Sequence, residues 1–226
     1  MGNENIGGKV MKEGMRYDTN RYQLREFVLT RMLEIIHQQQ FASPGGTVFY
    51  GDSITEKCDL DKYYPELDNK YNCGICGITS DILLHFIDEG VIKYRPSQVV
   101  VLVGTNDLGD TIMASPRDIA LNIKEMVDII HYNLPECRIY VCSCIPCIES
   151  MHGYKAMKKG LRSQDTLKMI FKECKNIIRE HVQFINAYSA LCNKKGQPIE
   201  NIFVDGLHIN DEGYQLLTSA IKESIL

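Results

Sequence analysis

The run Gln98-Val99-Val100-Val101-Leu102-Val103 constrains this chain more than any other segment. Successive side chains of a strand point to opposite faces, so an uninterrupted apolar run needs cover on both. That is the condition of a central strand in a parallel sheet sandwiched between helices, and the rest of the chain supplies the layers. Thr47 to Tyr50 reads as a first strand, Lys70 to Asn72 as a weak second, Arg138 to Cys144 as a fourth and Val182 to Ile185 as a fifth. Helical spacing stands between them. Asp18 to Gln40 carries Leu24, Phe27, Val28, Met32, Ile35 and Ile36 on one face, and Ser43-Pro44-Gly45-Gly46 stops it. Thr79 or Ser80 caps a helix through Glu89, Pro116 opens one reaching about Asn133, Asp165 to His181 carries Leu167, Ile170, Phe171 and Cys174 along one side, and Asp211 to Ile225 closes the chain. This alternation, free of repeats, predicts an α/β fold: a single three-layer α/β/α domain over residues 1–226. Its sheet would be a flavodoxin-like five-stranded parallel one in the order 2-1-3-4-5, with residues 1–17 a flexible leading segment.

A chain of 226 residues, 44% of them hydrophobic, suits one sizeable core. The net charge of −4 and the lack of a basic stripe argue against a nucleic-acid partner; Lys155, Lys158, Lys159 and Arg162, the densest basic stretch, read as the solvated start of a helix. Met1 to Gly14 holds no apolar segment and no run reaches the length of a transmembrane segment, so a soluble cytoplasmic protein is expected. Met1-Gly2 opens a myristoylation pattern that fails at Ile6. Nine cysteines in such a chain read as reduced core thiols. Cys73/Cys76 and Cys144/Cys147 do have the spacing of zinc half-sites, with Cys142 as a fifth sulfur. The expected sheet order, however, sets strands two and four three spacings apart, about 14 Å, so a shared metal would require large loop excursions. No metal and no cofactor is expected.

Four short blocks carry chemistry: Gly51-Asp52-Ser53-Ile54-Thr55, Asn72-Cys73-Gly74-Ile75-Cys76-Gly77-Ile78-Thr79, Gly104-Thr105-Asn106-Asp107 and Asp205-Gly206-Leu207-His208. They supply a serine after an apolar run, a glycine whose N–H can approach a ligand, a side-chain amide, and a carboxylate three residues before a histidine. With the order 2-1-3-4-5, Ser53 and Asn106 follow the two strands that flank the switch point, where carboxyl ends open a crevice for ligand. Gly77 follows the neighbouring strand, and Asp205 and His208 fold back from the loop after the fifth. A serine hydroxyl is a poor nucleophile at neutral pH and needs a neutral imidazole beside it, held by a partner on the other ring nitrogen. Asp205 and His208, three apart in one turn, suit that pairing.

These blocks resemble those of the SGNH hydrolases, the GDSL-type lipases and esterases, and their spacing is similar to the lysophospholipase-like and platelet-activating-factor-acetylhydrolase-like members over Val48 to His208. The resemblance implies that Ser53 is the nucleophile, His208 the base and Asp205 its orienting partner. It also implies an oxyanion hole made by the N–H groups of Ser53 and Gly77 and the amide of Asn106. Two departures stand out: Ile54 where the family nickname has leucine, and Ile78 where many members carry aspartate. The first is conservative, and the second removes a polar side chain beside the oxyanion glycine.

Each residue also has a plain structural reading. Asp52 and Ser53 can cap a helix, Gly77 can make a turn, Asn106 can cap the next helix and Asp205 can cap a loop. Asp52 reads as structural. His37, His85, His131 and His181 sit in helical patterns, packed or solvent-facing, while His152 lies in the loop after the fourth strand, within reach of a pocket; Tyr63, Tyr64 and Tyr154 read as loop packing. A metal-dependent phosphoesterase would want aspartate where Thr55 stands and a Gly-Asn-His block that is missing. A non-catalytic flavodoxin-like binding module fits the fold but leaves Asp205 and His208 unexplained. The loops Glu56 to Asp68 and Ile145 to Gln164 mix tyrosines, charges and methionines without a long apolar lid, which favours small-molecule esters of short acyl groups.

Overall fold

In a computed structural model, which describes residues 25–109, 112–153, 155–156 and 160–226, the valine run is buried on both faces, as its composition requires. Five strands, β1 (Thr47–Gly51), β2 (Lys70–Gly74), β3 (Gln98–Leu102), β4 (Arg138–Cys142) and β5 (Gln183–Ile185), form one parallel sheet in the order β2-β1-β3-β4-β5. Along each strand the side chains divide between two cores. Val48, Tyr50, Val99, Val101, Ile139 and Val141 enter one, and Phe49, Val100, Leu102, Tyr140 and Cys142 the other.

The helices are α1 (Glu26–Gln39), α2 (Ser53–Glu56), α3 (Leu60–Tyr63), α4 (Ser80–His85), α5 (Ile87–Gly90), α6 (Pro116–Asn133), α7 (Glu149–His152), α8 (Gln164–Ile177), α9 (Ala187–Ala190) and α10 (Asp211–Ile225). The apolar faces of α1, α4, α5, α6 and α8 cover the first core, and those of α3 and α10 cover the second. Ser115 and Asp118 form a capping box ahead of α6, with Pro116 at its first position, and Ser163 and Thr166 form another ahead of α8. Register brings Gly51 level with Gly74 and Leu102, so the carboxyl ends of β1, β2 and β3 finish side by side. Among the described residues no helix is long and apolar enough to cross a membrane.

Several boundaries differ from the sequence reading. The helix expected through Glu89 breaks at Phe86, which leaves helical geometry before α5 starts. The fourth strand ends at Cys142, and the last long helix before β5 ends at Ile177, four residues early, because Ile178 turns extended and buries its side chain. Three of the short helices, α3, α7 and α9, lie in segments read as loops. Phe27 does not join the buried face of α1: Val28, Met32 and Ile35 are buried while Phe27 is 48% exposed. Residues 1–17, Leu24, Tyr154, Lys158 and Lys159 lie outside the described residues.

Candidate active site

β1 ends on Gly51, where a Cβ would come within 2.2 Å of the Leu102 carbonyl oxygen and 2.4 Å of Thr55 Oγ1; only glycine lets β1 finish this close to β3. The next residue, Asp52, caps α2 by accepting the Ile54 N–H at 2.9 Å. Ser53 therefore starts α2 with its hydroxyl at the rim of the sheet. Ser53 Oγ lies 2.9 Å from His208 Nε2, and His208 Nδ1 lies 2.7 Å from Asp205 Oδ2. The other oxygen of Asp205 accepts the backbone N–H groups of Leu207 at 3.0 Å and His208 at 2.7 Å. Partial burial works to raise the Asp205 pKa, but the hydrogen bonds from the His208 ring and from the two amides outweigh it and hold the carboxyl well below the usual carboxylate range. The turn is fixed from outside by the Ile148 N–H, which donates to the Gly206 carbonyl at 2.7 Å, and the Tyr214 hydroxyl ties α10 to α2 by donating to the Ile54 carbonyl at 3.0 Å.

The block after β2 is fastened to the serine helix. Asn72 Nδ2 donates to the carbonyls of Thr55, Glu56 and Cys58 at 2.9, 3.2 and 3.1 Å, the Ile75 N–H donates to the Gly51 carbonyl at 3.0 Å, and the Glu56 carboxylate accepts the Cys76 N–H. A turn then forms from Ile75 to Ile78, closed by the Ile78 N–H on the Ile75 carbonyl at 3.3 Å. Gly77 is its third residue with φ +70°, a left-handed position that suits glycine. Asn106 reaches the same turn, its amide nitrogen donating to the Ile78 carbonyl at 3.0 Å. An amide nitrogen carries two hydrogens, so this bond orients the group and leaves one donor. All five residues singled out from the sequence thus stand at the carboxyl end of the sheet, Ser53 at the start of α2 and Gly77, Asn106, Asp205 and His208 on loops.

Beneath the loops lies a buried charged layer that the sequence reading missed. Arg162, read there as part of a solvated helix start, is only 6% exposed; its Nε donates to the Thr105 carbonyl at 2.7 Å and its Nη1 lies 3.3 Å from His152 Nδ1. The correction has a physical reason: the Thr105 carbonyl belongs to the peptide that carries the Asn106 nitrogen, Thr105 is buried, and a buried carbonyl needs a hydrogen-bond donor, which Arg162 supplies. Lys155, from the same stretch, pairs with Glu149 at 3.1 Å. Asp107 is buried as well and accepts the Ser80 N–H at 3.0 Å, so it caps α4 in place of Thr79, whose hydroxyl donates to Asp81. Burial pushes the Asp107 pKa up to about 6 against the hydrogen bonds from Ser80. Burial likewise pushes Asp52 up to about 7, opposed by the Ile54 N–H and by Arg162, with the Asp107 charge adding to the rise. No sequence pattern marks these groups, since a buried arginine and a solvated one look alike in a loop.

The cysteines are free thiols. Cys142 and Cys144 face opposite cores, Cys144 Sγ donates to the Val103 carbonyl at 3.3 Å, and burial pushes the Cys73 thiol up to about 12. Among the described residues no group of three or more His, Cys, Asp or Glu side chains is disposed to hold a metal ion. Tyr63 donates to the Asp211 carboxylate, Tyr64 packs in the core with its ring 4.5 Å from that of Phe49, and the His131 and His181 rings stack at 3.5 Å, away from Ser53.

Residues 49–216 match the family model described as the GDSL-like lipase/acylhydrolase family. No curated protein sequence matches significantly. Among solved structures, a protein from Streptococcus pneumonia provisionally described as a platelet activating factor is 22% identical, with a TM-score of 0.79 over 89% of this chain and 94% of that one. A GDSL-like lipase from Bacteroides thetaiotaomicron is 20% identical, with a TM-score of 0.73 over 86% and 96%. An acetyl-xylooligosaccharide esterase variant from Geobacillus Stearmophilus is 17% identical, with a TM-score of 0.61 over 80% and 94%.

Proposed function

The chain belongs to the GDSL-like lipase/acylhydrolase family, and from that premise we propose that it is a serine esterase acting on small esters of short acyl groups through Ser53, His208 and Asp205. The observation that carries the reading is the chain of contacts from Ser53 Oγ to His208 Nε2 at 2.9 Å and from His208 Nδ1 to Asp205 at 2.7 Å, beside a glycine turn and an oriented amide. Ser53 Oγ attacks the ester carbonyl carbon and passes its proton to His208 Nε2. The carbonyl oxygen, now an oxyanion, accepts hydrogen bonds from the N–H groups of Ser53 and Gly77 and from the Asn106 amide. His208 then gives the proton to the departing alcohol oxygen, leaving an acyl-Ser53. Water, deprotonated by His208, attacks that ester, and the acid leaves as Ser53 recovers its proton. Asp205 stays ionised throughout, holding the ring by Nδ1 and stabilising the imidazolium that forms twice per cycle.

Short acyl groups are favoured by the loops around the serine, which lack a long apolar lid, and one fold neighbour is described as an esterase of acetylated xylooligosaccharides. A fluorophosphonate tests the reading directly. It should add once, at Ser53, and Ser53→Ala should lose both the label and about 10⁵ to 10⁶ of kcat on short p-nitrophenyl esters, with an unchanged circular dichroism spectrum. Label on another residue, or turnover by Ser53→Ala close to that of the wild type, would sink it.

A further inference from the structure

Resting on that reading of Ser53 and Gly77, we propose that Phe27 of α1 determines substrate specificity by forming a wall for the acyl group. The residue lies ahead of the segment matched by the family, so nothing in that match assigns it a role. A Cβ built on Gly77 would meet a single neighbouring atom within 4 Å, Phe27 Cζ at 3.9 Å. A half-exposed aromatic edge therefore stands directly beside the glycine whose N–H receives the oxyanion. Its place is set from the same helix. Arg31, one turn on, donates from Nε to the Gly74 carbonyl at 3.0 Å and from Nη2 to the Asn72 carbonyl at 2.7 Å, which clamps α1 to the end of β2 just before the glycine turn. Residues four apart share a helix face, so the clamp delivers Phe27 over that turn.

Of the four substituents on the tetrahedral carbon, Ser53 Oγ joins it to the protein, the oxyanion points to the Gly77 N–H and the leaving oxygen must reach His208 Nε2 to be protonated. The remaining substituent is the acyl group, and it is the one free to run past Gly77 onto the ring. The wall suits an apolar acyl chain longer than acetyl, because an acetyl methyl is used up close to the reacting carbon while further methylenes can lose water against the aromatic edge.

Two ester series test this: p-nitrophenyl esters from acetyl to hexanoyl, and acetates of alcohols of increasing size. Each methylene fully removed from water is worth about fourfold in kcat/KM, so an edge that covers part of two or three should give Phe27→Ala a hexanoyl-to-acetyl ratio lowered by about tenfold. Phe27→Leu should restore most of the ratio, and the ordering of the alcohol series should stay as in the wild type. An unchanged acyl ratio, a change confined to the alcohol series, or a parallel fall of all esters would each overturn the assignment. Fluorophosphonate labelling of the same samples separates the two readings: failure to label Ser53 in the wild type removes the esterase reading, whereas labelling with an unmoved acyl ratio removes only the role of Phe27.

Discussion

Ser53, Gly77 and Asn106 leave the sheet within a few residues of the ends of β1, β2 and β3, whereas Asp205 and His208 hang from a connection that passes through α9 and a short bridge before returning to the serine. The first group inherits its spacing from strand register and is pinned by backbone, by the half-buried side chains of Asn72 and Glu56 and by the buried Arg162. The second is more exposed, with side-chain accessibilities of 24% for His208 and 47% for Asp205, and it builds its own geometry. One oxygen of Asp205 folds the turn while the other holds the imidazole. An oxyanion hole has to be rigid before charge develops, and strand ends supply that rigidity. A base must be aimed and kept in one tautomer, and a single carboxylate can do this on a loop.

If the base half depends on that one carboxylate, Asp205→Asn gives the largest effect expected from changing a residue that does not react itself. The asparagine oxygen can still accept the Leu207 and His208 amides, so the turn should hold. The ring loses its anionic partner, and kcat/KM should fall by about 10⁴. Acid should not imitate the variant. Because the folded state holds the Asp205 carboxyl well below the ordinary range, lowering the pH from 7 to 5 leaves it ionised. A loss under tenfold in steady-state kinetics would show that Asp205 is only a loop cap.

On the proposed reading, the half that would receive the oxyanion should respond by a smaller amount, since three donors would share the load. Asn106→Ala removes one of three and should lower kcat by about 10² to 10³ with little change in KM, because the bond it makes strengthens as the oxyanion forms. If kcat is unaffected, the Asn106 amide serves only to hold the Ile78 carbonyl.

Which parts could be read from the chain follows the same division. Strand order and the Ser53, Gly77 and Asn106 blocks were legible because each sits where an apolar run meets a glycine or an asparagine, a local pattern with a local cause. Asp205 and His208 were legible as a pair since three residues separate them, although nothing in the sequence specifies the path by which they return to Ser53. Arg162 was misread because its burial depends on the Thr105 carbonyl, 57 residues away. Phe27 was misread because helical spacing alone assigned it to the buried face, while its actual neighbour is a turn 50 residues on. Asp107 replaced Thr79 as the cap of α4 for a similar reason: the better acceptor came from another strand's loop.

The two halves also differ in the sign of their carboxylate shifts, and this gives the smallest but most diagnostic effect. Asp205 is held down by donors, whereas Asp52, fully buried with one oxygen lacking a protein hydrogen bond, is pushed up from 3.8 to about 7. Between those two values the folded chain binds a proton at Asp52 that the unfolded chain has released, so stability from this group falls as pH rises from about 4 to about 7. Asp107 and Arg162 face it from neighbouring loops and act in opposite directions, Asp107 adding to the rise and Arg162 resisting it. Asp52→Asn keeps an acceptor for the Ile54 N–H but cannot titrate. Its melting temperature relative to the wild type should therefore be higher at pH 8 than at pH 5, with a slope of at most about 1.4 kcal/mol per pH unit in the free-energy difference. Asp205 contributes the other way, its stabilisation being present above the ordinary carboxylate range and lost only as pH falls through its depressed value. Melting curves for Asp52→Asn and the wild type that run parallel from pH 5 to 8 would mean that Asp52 is already ionised in the fold, its burial compensated by Arg162.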